Sequence, residues 1–169
     1  MTREKLDNLV KIGQLKAEDA TPEEIRGLIR SGTARLNDSK NDSLSIESRF
    51  DLAYNAAHAL SLAALRHSGY RSESRYLVFQ CLQHTIDLPN EQWRVLDQAH
   101  RKRNIAEYEG DMDIDDQLVE AGFSKVNIAA STGIGPLSYC SHAHESDIGA
   151  FQSVHAVLGS RSTAICSGA

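Results

Sequence analysis

Apolar residues recur at intervals of three and four along the chain up to about Gly122, the period of helices with one buried face. The longest run predicts a helix from about Ser45 to His67. Ile46, Phe50, Ala53, Ala57, Leu60 and Ala64 form its stripe, and Leu52, Ala56, Ala59 and Ala63 widen it to roughly half the circumference. So much alanine lets neighbouring helices approach closely. The opposite stripe carries Asp51, Tyr54, Asn55 and His58. It reads either as a solvent face or as a polar patch used at an interface or site, because a face selected for solubility alone would favour Lys and Glu. Gly69 is placed to end this helix near its C′ position.

The same period predicts a helix from Thr2 to about Ala17, with Leu6, Leu9, Val10 and Ile12 as its apolar set. Thr21-Pro22-Glu23-Glu24 is a start signal: Thr21 caps, Pro22 suits the first helical position and Glu24 completes a capping box. That helix runs through Ile25, Leu28 and Ile29 to Leu36, weakened by Gly27 and Gly32, and a polar linker follows from Asn37 to Ser43. Another helix spans roughly Ser74 to Thr85, with Leu77, Val78, Cys81 and Leu82 inward. Asp87-Leu88-Pro89-Asn90 breaks it and leads into a helix that includes Arg94–Glu109 and stops at Gly110. Asp113 can cap a short helix with Ile114, Leu118 and Val119, up to Gly122. With only 3 prolines and strong helix formers throughout, the expected fold is all-α. It is an antiparallel up-down bundle of five to six helices, with an N-terminal helix in residues 1–20 and the bundle in residues 21–130.

From about Ser131 the composition changes. Residues 131–169 hold three charges (Glu145, Asp147, Arg161) against eight serines and five glycines. A solvating disordered tail would carry more charge. One helical pattern survives at 147–158, capped by Ser146 and carrying Ile148, Phe151, Val154 and Leu158. The break is compatible with a shifted reading frame. Cys140, His142 and His144 have zinc-ligand chemistry, but the spacing is unusual and the setting is rich in Gly and Ser, so coincidence is the better reading. No metal and no cofactor is expected.

A formal net charge of −5 argues against a dedicated nucleic-acid coat, yet leaves room for a local basic patch at Arg101-Lys102-Arg103. No apolar run reaches membrane-spanning length. The N-terminal residues lack the apolar core of a signal peptide, and Cys81, Cys140 and Cys166 are too few and scattered for a disulfide framework. The default expectation is a cytoplasmic protein with no membrane contact.

Candidate chemistry concentrates in Arg94–Glu109. On a helical wheel Val95, Leu96, Ala99 and Ala106 share a face, and Arg103 projects into it, bordered by His100 and Glu107. A cation turned toward a core needs a partner or a job. The structural reading is an intrahelical pair with Glu107 at i,i+4, worth a few tenths of a kcal/mol when exposed. The functional reading is a phosphate held by the guanidinium fork, with His100 as acid or base near neutral pH.

Arg103-Asn104, followed by Ile105-Ala106-Glu107 and Tyr108, resembles the signature of HEPN domains (higher eukaryotes and prokaryotes nucleotide-binding): an Arg, often followed by Asn, then a His a few residues on, in a late helix of a small bundle. The stretch Ser48 to His58 and Gly69-Tyr70-Arg71 resemble a bacterial HEPN-like group, as does Glu107-Tyr108-Glu109-Gly110. The likeness spans most of residues 9 to 120. It implies a helical bundle that forms a homodimer with its site in a cleft between protomers. It also implies RNA as a partner, often metal-independent endoribonuclease activity as a toxin, and a nucleotidyltransferase-type antitoxin. Carried onto this sequence, Arg103 binds the scissile phosphate and Asn104 orients it. Tyr108 stands where the family has His, so Tyr108 or His100 would assist. Asn55, His58, Tyr54, Arg101 and Lys102 are the candidate substrate contacts. The alternative is a non-catalytic helical dimeric binding module in which the Arg103–Glu107 and His58–Tyr54 groups are structural.

Overall fold

The computed structural model describes residues 2–109, which form a bundle of five α-helices and one two-stranded ribbon. In chain order these are α1 (Thr2–Lys11), β1 (Lys16–Ala17), α2 (Pro22–Asp38), α3 (Ile46–His67), β2 (Tyr70–Arg71), α4 (Arg75–Thr85) and α5 (Asn90–Glu109). The all-α fold class expected from the periodicity is the one found. The expected stop at Gly110, the helices at Asp113–Gly122 and 147–158, and the Cys140/His142/His144 cluster lie outside the described residues. Within them, no helix is long and apolar enough to cross a membrane.

Local chemistry starts three of the helices. The hydroxyls of Thr21, Ser45 and Ser74 each accept from the amide three residues on, at 3.2, 3.3 and 3.4 Å, which satisfies one of the free donors of each first turn. The capping box at α2 is only half made. Thr21 accepts from Glu24, but the Glu24 carboxylate turns away to Arg66.

The first helix ends earlier than its apolar period predicts. Gly13 takes a left-handed φ of 73°, its amide bonds Val10 O at 2.9 Å, and Gln14 N bonds Leu9 O at 2.9 Å. This paired pattern closes a helix with Gly at C′. Ile12, placed in the apolar set, is 66% exposed instead. The chain then turns so that Lys16 and Ala17 pair antiparallel with Arg71 and Tyr70. Two-residue strands carry no alternation long enough to see in a sequence.

The long helix α3 is the axis of the bundle and packs on α2, α4 and α5. Its alanines set the spacing. A β-carbon built on Gly32 of α2 would lie 2.7 Å from Leu60 Cγ, so α2 approaches α3 too closely for any side chain there. The main core gathers Leu36, Phe50, Leu60, Phe79, Leu82 and Leu96; a second core joins Leu6 and Leu15 to Leu65, Val78 and Cys81. Burial pushes the Cys81 thiol up to about 11, so it is an unreactive core group at neutral pH.

Candidate functional site

The stripe Asp51, Tyr54, Asn55, His58 is only partly an outer face of α3: Asp51 is exposed, and Asn55 and His58 are half-buried. The chain lays α4 and α5 along that side, and Tyr54 becomes a core residue, 3% exposed. Its ring has enough apolar area to be buried, provided the hydroxyl finds a partner. That partner is His100 Nδ1 on α5, at 2.8 Å, with the two rings stacked 6.1 Å apart. Phe79 of α4 lies under the group, edge-on to Tyr54, His58 and His100.

The other nitrogen of His100 is also taken: Asn104 Nδ2 lies 3.2 Å from Nε2. With the amide donating to Nε2, the proton sits on Nδ1 and is donated to the Tyr54 oxygen. With the amide turned over, Nε2 donates to it and Tyr54 donates to Nδ1. Both arrangements hold a neutral, fully engaged imidazole.

Arg103 lies over the opposite part of this platform, its guanidinium carbon 5.1 Å from the centre of the Tyr54 ring. Its Nη1 and Nη2 donate to the two oxygens of Glu107 at 2.8 and 2.7 Å. Nε is buried and 3.7 Å from Asp51 Oδ1, near enough for attraction and too far for a hydrogen bond. The Arg103 side chain is 20% exposed, Glu107 and Asp51 about half. The inward Arg and its i,i+4 acid are therefore both present, and a third group, Asp51 of the polar stripe, joins them. From α4, Arg75 Nη1 donates to Asn55 Oδ1 at 3.1 Å.

The electrostatics show how these cations converge. His58 is pushed down to about 4, first by burial, then by the fields of Arg75, Arg103 and His100. His100 is lowered by burial above all, with Asp97 opposing and Arg103 and Arg75 adding to the fall. Burial raises the Tyr54 phenol although Arg103 pulls it back. The partly buried Arg103 and the exposed Arg75 thus both act on two imidazoles that are held toward the neutral form.

The remaining expected site residues are placed elsewhere. Tyr108 is 87% exposed. At 100° per residue it stands about 140° around α5 from Arg103, whereas Glu107 stands about 40° away and His100 about 60°. Arg101 points outward and pairs with Asp97 at 3.0 Å. Lys102 is half-buried.

Other residues of this face were not anticipated. Arg75 and Tyr76 start α4, and Trp93 and Asp97 lie on α5 one to two turns before His100. Their signal was the spacing of Trp93, Asp97, His100 and Asn104, which shares one side of a helix. Arg66 was also missed. It is 3% exposed and bonds Glu24 Oε1 at 2.8 Å, Glu24 Oε2 at 3.0 Å, and the carbonyls of Glu18 and Asp19. Its spacing from Ala59 and Ala63 on the buried face of α3 would have revealed it. A groove of about 430 Å³ near this second cluster is lined by Arg3, Asp7, Asp19, His67 and Tyr70 among others.

No family model, no curated protein and no solved structure matches the chain.

Proposed function

We propose that this chain is a HEPN-like, RNA-associated protein that binds phosphodiester at the Arg103 cluster. The carrying observation is the partly buried Arg103 seated over Tyr54, whose hydroxyl bonds His100, with the exposed Arg75 bonded to Asn55 of the same helix α3. A guanidinium fork matches two phosphate oxygens. Glu107 occupies that fork in the free chain, but the pair is half exposed at the acid, and such pairs are worth only about 0–1 kcal/mol. A polyanion that also engages Arg75 can displace it.

Two orders of chemistry are open to such a site. Binding needs only the guanidiniums. Cleavage needs a group to take a proton from a 2′-hydroxyl; among the described residues His100 is the imidazole bonded to the Tyr54 platform under Arg103, so it is that group in the endoribonuclease reading. Both nitrogens of His100 are engaged and Tyr108 stands far around the helix, which favours the binding module. The resemblance brings a homodimer and a nucleotidyltransferase-type antitoxin as partners. Ile105 and Tyr108, 44% and 87% exposed on the outer side of α5, suit a protein contact.

The test is RNA binding and RNA cleavage measured together in EDTA. The proposal expects salt-sensitive binding that drops at least ten-fold in Arg103→Ala and in Arg75→Ala. Cleavage lost in Arg103→Ala and His100→Ala supports the nuclease; binding without cleavage supports the module. Folded protein that binds no RNA at low salt sinks the proposal.

A further inference from the structure

We infer that α5 is a proton-released element: when His58 and His100 take up protons, four cations crowd the Tyr54 platform and α5 lifts from α3 and α4 while those two helices stay folded. The inference goes beyond the RNA reading above and does not depend on it.

The joint between α5 and the bundle is an imidazole. His100 Nδ1 bonds the Tyr54 hydroxyl at 2.8 Å, its ring lies 6.1 Å from Tyr54 and 5.3 Å from Tyr76, and Phe79 meets it edge-on. His58, one turn after Tyr54 on α3, meets the same Phe79 ring at 6.0 Å. The charges that act on His58 are positive: Arg75 from α4, and Arg103 and His100 from α5. His100 feels Arg103 of its own helix and Arg75 of α4. Asp97 opposes them, but its Oδ2 is already paired with Arg101. Asp51 and Glu107 lie against the Arg103 guanidinium. Among the described residues no carboxylate is bonded to either ring, so a proton on one meets cations without a paired acid to offset it.

The helix is also lightly held. Among the described residues, Leu96 and Ala99 are its fully buried apolar side chains. Gln92 Oε1, Trp93 Nε1 and Asp97 Oδ1 are buried without a hydrogen-bond partner. Water satisfies such groups once the helix lifts, which offsets part of the apolar surface exposed. The rest of the bundle keeps a core of its own. Leu6, Leu15, Leu65, Leu77 and Val78 come from α1, the turn after it, α3 and α4, and no α5 residue belongs to that cluster. Elements with few buried apolar contacts open below the free energy of global unfolding.

Linkage gives the direction. His58 is held down to about 4 in the docked bundle and returns toward its ordinary 6.5 when Arg103 and His100 leave with α5. The released form therefore binds the proton first. Docking is fully supported above about 6.5 and weakens as pH falls toward 4. Complete recovery of His58 raises the released population roughly thirty-fold at pH 5. Arg75 stays beside His58 on α4, so a rise of about ten-fold is expected. Release also carries Arg103 and His100 away from Tyr54, which dismantles the candidate site.

Hydrogen exchange of the full chain at pH 7.5 and pH 5, corrected for the intrinsic rate, tests this. Amides of 96–104 in α5 are expected to be less protected than those of 57–65 in α3, and to lose about a further ten-fold at pH 5. His58→Asn, neutral at both pH values, should remove most of that loss. Equal protection of the two segments at pH 5 overturns the inference, because α5 then leaves only when the whole bundle unfolds. So does protection of α5 that is the same at both pH values, or a loss that persists unchanged in His58→Asn. An α5 without protection at pH 7.5 overturns it as well, since there is then no docked state to release. Should His58→Asn not fold, the two segments of the unaltered chain decide.

Discussion

Arg66 and Glu24 are bonded at two points, Nε to Oε1 at 2.8 Å and Nη2 to Oε2 at 3.0 Å, and this pair ties the end of α3 to the start of α2. Arg66 is almost wholly buried, while Glu24 and Glu18 remain about 40% exposed. The partners are therefore unequal. Glu24→Ala leaves a buried guanidinium short of its main acid and should cost about 2–4 kcal/mol. Arg66→Met leaves two acids free to turn to water, and orphans only the carbonyls of Glu18 and Asp19, so it should cost less. Urea melts of both variants and the double variant check this. Arg66→Met proving the costlier change would mean that the cluster contributes net stability through the cation itself.

Gly27 and Gly32 look alike in the sequence of α2 and differ in the bundle. Nothing lies within 4 Å of a β-carbon at Gly27, whereas at Gly32 it meets Leu60 at 2.7 Å and the Ala56 carbonyl at 3.3 Å. Gly27→Ala should stabilise by about 0.5–1 kcal/mol from helix propensity. Gly32→Ala gains the same propensity but overpacks the α2–α3 contact, at about 1–3 kcal/mol, and should lower the melting temperature. Equal shifts of both variants would contradict the close approach.

The contrast shows how far the sequence can be read. Helix existence followed from period and caps, since Thr21, Ser45 and Ser74 act locally. Core positions such as Leu77, Val78, Cys81 and Leu82 followed from the same period. What depends on neighbours did not follow. The Tyr54 stripe is polar enough to suit solvent, and only the placement of α4 and α5 buries Tyr54 and partly covers Asn55 and His58. Arg103 was legible as an inward cation with Glu107, while its seat on Tyr54 comes from α3, a separate element. Glu24 was read as half of a capping box because its true partner lies 42 residues away. Tyr108 matched a motif by spacing, and helix geometry turns it from the cluster.

His58 predicts an acid-side loss of stability. Its unfolded value is near 6.5 and its folded value about 4, held down by burial and by Arg75 and Arg103. The unfolded chain therefore binds the proton first as pH falls. The neutral-His contribution is complete above about 6.5 and disappears as pH drops toward 4, an effect on the order of 2 kcal/mol. His100, also lowered, acts in the same direction. The carboxyls of Glu18 and Glu24, held below their usual value mainly by bonds to Arg71 and Arg66, add a further loss below about 4.5. His58→Asn should flatten the profile between pH 6.5 and 4. An NMR titration that finds the His58 ring protonating near 6.5 would refute the burial of His58 beside the two guanidiniums.

Glu107 predicts the opposite of what removing an acid from a helix usually does. Its carboxylate fills both outward nitrogens of Arg103, so it competes with any phosphate for the same fork. Glu107→Gln keeps the shape, releases the fork and removes one negative charge. The helix loses about 0.3–0.5 kcal/mol of i,i+4 pairing, and RNA affinity should rise by a factor of a few to ten. Arg103→Ala should abolish that gain, so the two changes are strongly non-additive in a double-mutant cycle. Tyr108→Phe, on the far side of α5 and 87% exposed, should leave RNA affinity unchanged. Binding isotherms at two salt concentrations distinguish a released fork from a general charge effect: the former adds about one phosphate contact to the salt slope, the latter leaves the slope alone. A Glu107→Gln variant with weaker binding would mean that the acid holds Arg103 in place for its ligand instead of competing with it.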